Sequence, residues 1–589
     1  MKKYVPTGNE MVSLPTINEN NGNIESISFL SMNQKGMIEL KGQESSLFEP
    51  YISLELDNPT FKRENYWIPV REAKNVDFTY KCTYLTPIKE RGFILHYELT
   101  ANKDLSFTWG LKGQLAHILH SVNEVKEFEG NLHCYESVWN DSIVIDYMIG
   151  SPLFSLAPMT SSKTQTTFKL ENNIVNYDIS QEIKINKGET KSLDIFWGLG
   201  FEEVASATSA KEMLRRTYEY EYEKTSKYLK DRIKDLGNDI YNKIYNTNLF
   251  FCLFYSTGIT YDTEELICAT SRSSRYYVSA AYWDRDTMLW SFPTVLDTDT
   301  RLAKNILEYI YTRQSKNIGV HSRYIDGTVL EPGFELDELV APIIALNNYF
   351  IKTKDNAFIN ERFVTKTIEN ILEQLKEIKH PQIDLYETFL QPTDDERVYP
   401  YITYDNMLVY LAFNALANLY PDKYSYLTLE AEKVRKAVMD NCVFENNNGK
   451  YFGWSVDLKG NHDVYDEPPG SLQLLAYYGF VEKDNEIWNN TVNMIRSKDY
   501  KYSFNGCNIS EIGCPHAPHP WILSLCNSML AGFKDKALEE LKYLKMDNGI
   551  ACESVDENTG ESTTGDAFAT CAGFLCHAML VATRGDDNE

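Results

Sequence analysis

The feature that most constrains the fold is a change of hydrophobic period near residue 205 of this 589-residue chain. Before it, Phe93, Leu95, Tyr97 and Leu99 alternate with Ile94, His96, Glu98 and Thr100, and Phe78, Tyr80, Cys82 and Tyr84 repeat the pattern. A period of two sends successive side chains to opposite faces, which suits a strand and not a helix. Similar runs at 26–32, 37–41, 142–148 and 193–198 are separated by Asn, Gly and Pro clusters. Many short strands without helical spacers predict an antiparallel β-sandwich over residues 1–204.

Beyond residue 205 the texture is helical. Residues 205–236 are rich in Glu, Lys, Arg and Tyr, with no Gly or Pro, which predicts a helical linker over 205–238. From 239 to 589 apolar residues recur every three or four positions, as in Leu336, Leu339, Val340, Ile343, Leu346 and Phe350, the spacing of one buried helix face. Twelve helices are expected, starting near Asp239, Ala280, Thr300, Leu336, Ala357, Tyr404, Tyr424, Ser471, Asn485, Pro520, Lys534 and Asp566. Twelve helices in antiparallel pairs can close into an all-α (α/α)6 toroid of six hairpins, with helix starts and loops lining one funnel.

Charge narrows the partners. A net charge of −26 without a Lys/Arg stripe repels nucleic acid. No apolar stretch approaches the length of a membrane span, so no membrane partner is expected. Met1-Lys2-Lys3 is followed by no apolar segment, so no secretory signal is expected. With eleven cysteines in no framework spacing, these features predict reduced thiols and a cytoplasmic location.

Acidic clusters at helix starts carry the chemistry. In Gly333-Phe334-Glu335-Leu336-Asp337-Glu338-Leu339, one acid suits the helix dipole, but three exceed what capping needs. Their mutual repulsion raises at least one pKa, as a general acid requires. Tyr282-Trp283-Asp284-Arg285-Asp286 combines charges and an aromatic face able to grip sugar hydroxyls, or forms a charge network at a helix start. Pro392-Thr393-Asp394-Asp395 has the composition of a turn, and Glu467-Pro468-Pro469-Gly470 is either a turn or a funnel wall. Glu553 precedes the last helix, where a base could activate water. A protonated and an ionised carboxyl together are what glycosidic hydrolysis uses. Cys507, Cys514, His516 and His519 fit no zinc spacing, and no nucleophile elbow, phosphate-binding loop or dinucleotide fingerprint is present. Neither metal nor organic cofactor is expected.

With these residues in view, the helical half resembles the six-hairpin glycosidase superfamily, its motifs being closest to the metal-independent exo-α-mannosidases. Those enzymes carry an aromatic-Arg-Asp helix start like residues 282–286, a Glu-Leu-Asp segment before an apolar helix like 335–339, a Pro-Ser-Asp-Asp loop like 392–395, and a Glu-Ser pair like Glu553-Ser554, in this order. The resemblance implies that Asp337 takes the general-acid position and Glu553 the general-base position of an inverting hydrolase. It also implies that Asp284, Arg285, Asp286, Asp394 and Asp395 line the −1 sugar pocket. Trp283, Glu335, Glu338 and Glu467 complete the candidate substrate-binding set. Residues 1–204 fall outside that likeness; a β-sandwich before a toroid is similar to glucoamylase-like and mannosylglycerate-hydrolase-like relatives. Thr563-Thr564-Gly565-Asp566 departs from the mannosidase pattern, which has an aromatic-rich stretch there.

The expectation is an exo-acting, inverting glycosidase acting on α-linked oligosaccharides or small glycosides, α-mannosides slightly ahead of α-glucosides. The alternatives are a phosphorolytic enzyme or lyase on the same toroid, and a non-catalytic carbohydrate-binding protein. Phosphorolysis would need an anion pocket where Glu553 stands.

Overall fold

The computed structural model describes residues 2–148, 150 and 152–584. Its contacts divide the chain into two compact units. One comprises Met1–Lys234, Thr257–Ile267 and Ser271–Ala280; the other comprises Asp235–Ser256, Cys268–Thr270 and Ala281–Glu589.

Among the described residues, the first unit contains sheets of six, four and eight strands. The alternating segments pair with each other: strand Phe78–Leu85 runs antiparallel to Gly92–Ala101, with Tyr80 opposite Leu99 and Tyr84 opposite Leu95. One apolar core draws on all three sheets, including Phe29 and Leu40 of the first, Trp109 and Tyr177 of the second, and Tyr97 and Trp197 of the third. Phe48 sits edge-on to Phe93 and Trp197, with centroids at 5.0 and 4.9 Å, a favourable aromatic geometry. The first unit is thus antiparallel and sheet-rich. The segment after residue 200 forms two helices, Glu203–Arg216 and Tyr218–Lys230, broken at Thr217, whose φ of 71° no helix accepts.

The second unit is helical, and several of its helices begin where side chains can cap them. Asn238 Oδ1 accepts the amides of Ile240 and Tyr241 at 2.9 and 3.3 Å, opening helix Asp239–Tyr255. Asp299 accepts those of Arg301 and Leu302, opening Thr300–Thr312, and Asn485 accepts that of Trp488, opening Glu486–Ile495. Such caps satisfy amides that the first turn leaves unpaired.

Several expected starts differ, three of them for a reason visible in the backbone. Ala280 has φ of 55°, so the helix begins only at Arg285, as a π-helical turn Arg285–Ser291 that continues into Phe292–Thr298. The helix expected at Ser471 is replaced by short 3₁₀ turns at Pro468–Gly470 and Leu472–Leu475; Pro468 and Pro469 have no amide hydrogen with which to continue a ladder. The last helix starts at Ala569, after Ala567 with φ of 60°.

That last helix, Ala569–Thr583, packs against the first of the unit, Asp239–Tyr255. Gly573 makes the close approach possible. A Cβ there would lie 2.6 Å from Ser291 Cα and 2.8 Å from Cys252 Sγ, inside any ordinary contact. Helix Thr403–Leu419 packs against both Leu336–Thr353 and Leu427–Asn441.

Candidate active site

The start of helix Leu336–Thr353 brings Glu335, Asp337 and Glu338 together, all fully buried. Their shared cation is Arg285, from the π-helical turn, itself only 2% exposed. Its Nη1 reaches Glu335 Oε2 at 2.7 Å and Asp337 Oδ2 at 3.1 Å, and its Nη2 reaches Asp394 Oδ1 at 2.7 Å. Asp394 presents its carboxylate from a backbone with φ of 70°, a conformation that Asp tolerates better than most residues. One guanidinium fork therefore holds three carboxylates from two separate segments. π-Helical turns recur at functional sites because they re-aim side chains within a helix.

The neighbouring charges brace this arrangement. Glu338 accepts the backbone amides of Asp284 and Arg285, the latter at 2.9 Å, so both its oxygens are engaged. Asp284 is bound by Arg323 and by the Tyr282 hydroxyl, the latter at 2.5 Å. Arg323 also lies over the Tyr282 ring at 4.9 Å. Glu335 is held between Arg285 and His321 Nδ1. Trp283, buried, meets the His321 ring edge-on at 5.5 Å. Asp337 Oδ1 accepts the Glu338 amide at 2.8 Å.

Burial raises the pKa of Glu335, Asp337 and Glu338, while the Arg285 charge opposes the rise. Each carboxyl is thereby biased towards holding its proton, the state a general acid needs. Asp286, which accepts the Thr570 hydroxyl at 2.9 Å, is pushed by burial to about 7. A raised carboxyl pKa contributes stability that is complete below its unfolded value and lost as pH rises through about 7. The melting temperature of the wild type should therefore fall between about pH 5 and 8, and Asp286→Asn should flatten that fall. Identical slopes for the two proteins would contradict this.

Glu467 faces the Asp394 loop. Its oxygens accept the Thr393 amide and the Gln391 Nε2 group, each at 2.9 Å, and burial raises its pKa well above the ordinary value. Asp395 lies apart from the buried group, half-exposed, with His516 Nδ1 at 3.7 Å. Next to Gln391 opens a cavity of about 560 Å³ whose walls include Asp463, Tyr465, Asp499, Tyr500 and Tyr502. Aromatic walls with a few carboxylates suit a polyhydroxylated ligand.

Glu553 is 2% exposed and adjoins the two-stranded ribbon of Ser554–Val555 and Ser562–Thr564. Thr564 Oγ1 donates to its Oε1 at 3.3 Å. Gly565, with φ of 61°, passes so close that a Cβ would lie 3.0 Å from Glu553 Oε2. The Phe568 amide donates to Ala551 O, tying this loop to the helix start from which Thr570 reaches Asp286. That chain of contacts links the Glu553 loop to the Arg285 turn.

The sequence reading missed Arg323 and His321, which belong to the hairpin of Val320–Arg323 and Val329–Phe334, and Asp405, in the first turn of Thr403–Leu419. No local motif marks any of them. The zinc candidates take other partners: His519 Nδ1 lies 3.0 Å from Glu557 and His516 near Asp395. Among the described residues, His321, Glu335 and Asp394 have ligand atoms close enough to share an ion. The Arg285 guanidinium already supplies the positive charge to two of them. Exhaustive EDTA treatment should therefore leave activity unchanged; loss restored by zinc or calcium would contradict this.

Residues 378–580 match the family model described as metal-independent alpha-mannosidase (GH125). That stretch holds Asp394, Asp395, Asp405, Glu467 and Glu553, whereas Arg285 and Asp337 precede it. The Meiotically up-regulated gene 157 protein of Schizosaccharomyces pombe is 25% identical over 309 residues, 44% of this chain and 60% of its own length. The chain thus spans about 60% of the length of that curated relative. Solved structures are similar as well. A Streptococcus pneumoniae metal-independent alpha mannosidase, in a non-productive complex with alpha-1,6-mannobiose, is 17% identical with a TM-score of 0.50, over 58% of this chain and 94% of its own. A bacterial glucoamylase complexed with acarbose is 13% identical with a TM-score of 0.62, over 99% and 95%. A candidate kojibiose phosphorylase from the human microbiome is 10% identical with a TM-score of 0.59, over 92% and 80%. The resemblance to six-hairpin glycosidases read from the motifs is borne out by the family model over residues 378–580 and by the fold of these neighbours.

Proposed function

We propose that this protein is an exo-acting, inverting α-glycosidase that hydrolyses α-linked oligosaccharides or small glycosides, α-mannosides ahead of α-glucosides. The observation that carries the reading is the buried carboxyl group around Arg285, with Asp337 biased towards its protonated form and Glu553 on a loop tied to the same turn. In this reading Asp337 protonates the leaving oxygen and Glu553 deprotonates the attacking water. Glu335 and Asp394, held by Arg285, bind the glycone with Trp283, Asp286 and Glu467; Asp284 and Glu338 brace the Arg285 turn; Asp395 stands at the rim. The tyrosine-lined cavity takes the remainder of the substrate. The packing of the first helix of the second unit against the last supports a closed (α/α)6 toroid, preceded by a β-sandwich. The mannoside preference is supported by the family match and by the mannosidase neighbour.

A panel of aryl α-mannoside, glucoside, galactoside and rhamnoside tests the reading. Turnover of the mannoside without phosphate is the expected result. A strict requirement for phosphate would instead favour phosphorolysis, and no turnover of any member would remove the exo-glycosidase reading.

A further inference from the structure

Asp405 is a buried acid of the second unit whose role the site described so far does not explain. It occupies the first turn of helix Thr403–Leu419, which packs against Leu336–Thr353, and it is completely buried. Neither of its carboxyl oxygens has a hydrogen-bond partner. Its neighbour Asn406 behaves oppositely. Asn406 accepts the Tyr386 amide at 2.8 Å and donates to the carbonyls of Tyr386 and Ile402 at 3.0 and 2.9 Å. One residue braces the helix start; the next is left unsatisfied.

The charges near enough to act on Asp405 belong to the candidate active site, whose acids begin the helix that Thr403–Leu419 packs against. They are Asp337 and Glu335 from the neighbouring helix start, Glu467 from its loop and the Arg285 guanidinium, with Tyr404 beside it on its own helix. Burial raises the Asp405 pKa well above the ordinary value, and the three acids push it the same way. A buried polar group without a partner destabilises a fold. A buried polar group without a partner in a native fold calls for an explanation, and a ligand that completes it supplies one. What completes a carboxyl among other carboxyls must bring hydrogen-bond donors and no negative charge, which describes sugar hydroxyls.

We propose that Asp405 is a further sugar-binding residue of this site, its carboxyl hydrogen-bonding hydroxyl groups of the glycone held between Asp337 and Glu467. This rests on the glycosidase reading of the same site. Asp405 differs in kind from Glu338, whose oxygens are already engaged by the backbone. It is therefore able to discriminate between sugars that differ in one hydroxyl, because a polar site left unpaired penalises the analogue that lacks the group.

The test compares the full-length wild type with Asp405→Asn and Asp405→Leu on the aryl α-glycoside that the wild type hydrolyses best. Asp405→Leu should lower kcat/KM by on the order of 10- to 100-fold, the range for leaving a buried hydroxyl without its partner, and Asp405→Asn by less. Melting temperatures of both variants should equal or exceed the wild type, since an unsatisfied group has been removed. Across monodeoxy glycosides, one member should lose the penalty of Asp405→Leu, which identifies the hydroxyl concerned. Unchanged kcat/KM, a lowered melting temperature in both variants, or an undiminished penalty across the deoxy panel would overturn the assignment. Calorimetric titration of free mannose and free glucose separates this from the parent reading. Weaker binding by Asp405→Leu supports the assignment even without turnover; equal affinity, or no binding to the wild type, overturns it.

Discussion

Asp337→Asn and Glu553→Gln should each lower kcat on an oligosaccharide by about 10²- to 10⁴-fold, the usual contribution of a positioned acid or base. The folded state should persist in both, because each replacement keeps the side-chain volume and one acceptor oxygen. Their leaving-group dependence should differ. An aryl glycoside with an acidic phenol departs with little protonation, so Asp337→Asn should lose least on such substrates, while Glu553→Gln should be equally impaired on all. The pH profile separates them further: the alkaline limb belongs to the protonated acid and should disappear in Asp337→Asn. Near wild-type turnover of an oligosaccharide by either variant would rule that residue out. Glu335 would then be the next acid to replace, since Glu338 is engaged at both oxygens by backbone amides.

Arg285→Leu should have the second large effect, on both stability and activity. Glu335, Asp337 and Asp394 all contact this guanidinium, and removing one partner of a buried ion pair costs about 3–5 kcal/mol. Burial already raises the pKa of Glu335 and Asp337, with Arg285 opposing the rise. Without that charge their pKa values climb further, so the loss should be smaller at acid pH, where both carboxyls are protonated, and larger as pH rises. Arg285→Lys should recover charge but not the two-pronged contact, because an ammonium is a single point. Thermal melts at about pH 5 and 8, with kcat/KM for each variant, check this. A melting temperature for Arg285→Leu equal to the wild type at both values would show that the guanidinium does not hold the group together.

The parts of this molecule written in local pattern were legible from the sequence. Alternation at Phe78, Tyr80, Cys82 and Tyr84 marked a strand that pairs with the one marked by Phe93 to Leu99. Helices starting at Asp239, Thr300, Leu336 and Lys534 were visible because apolar spacing coincides there with polar residues at the entry. The helix expected at Ser471 failed because apolar spacing outweighed Pro468 and Pro469, which restrict that segment to short turns. The acids at 335–338 were visible as a cluster, but not their separate tasks. Whether a carboxylate meets a backbone amide, an arginine or nothing depends on chain brought from fifty residues away. Arg323 and His321 were invisible for that reason, lying on a hairpin whose sequence advertises no chemistry. Asp405 was hidden differently: a single acid in the first turn of an apolar helix matches the dipole, and only the absence of a partner distinguishes it.

The anomeric configuration of the first product, followed by proton NMR during hydrolysis of an α-glycoside by the wild-type protein, distinguishes the two possible arrangements of acid and base. An acid and a base separated by a water molecule, with carboxyls roughly 6.5–9.5 Å apart, release the β-anomer first, the α-anomer appearing only as mutarotation proceeds. Immediate release of the α-anomer would mean a covalent intermediate and carboxyls about 5 Å apart, and would contradict the roles given to Asp337 and Glu553.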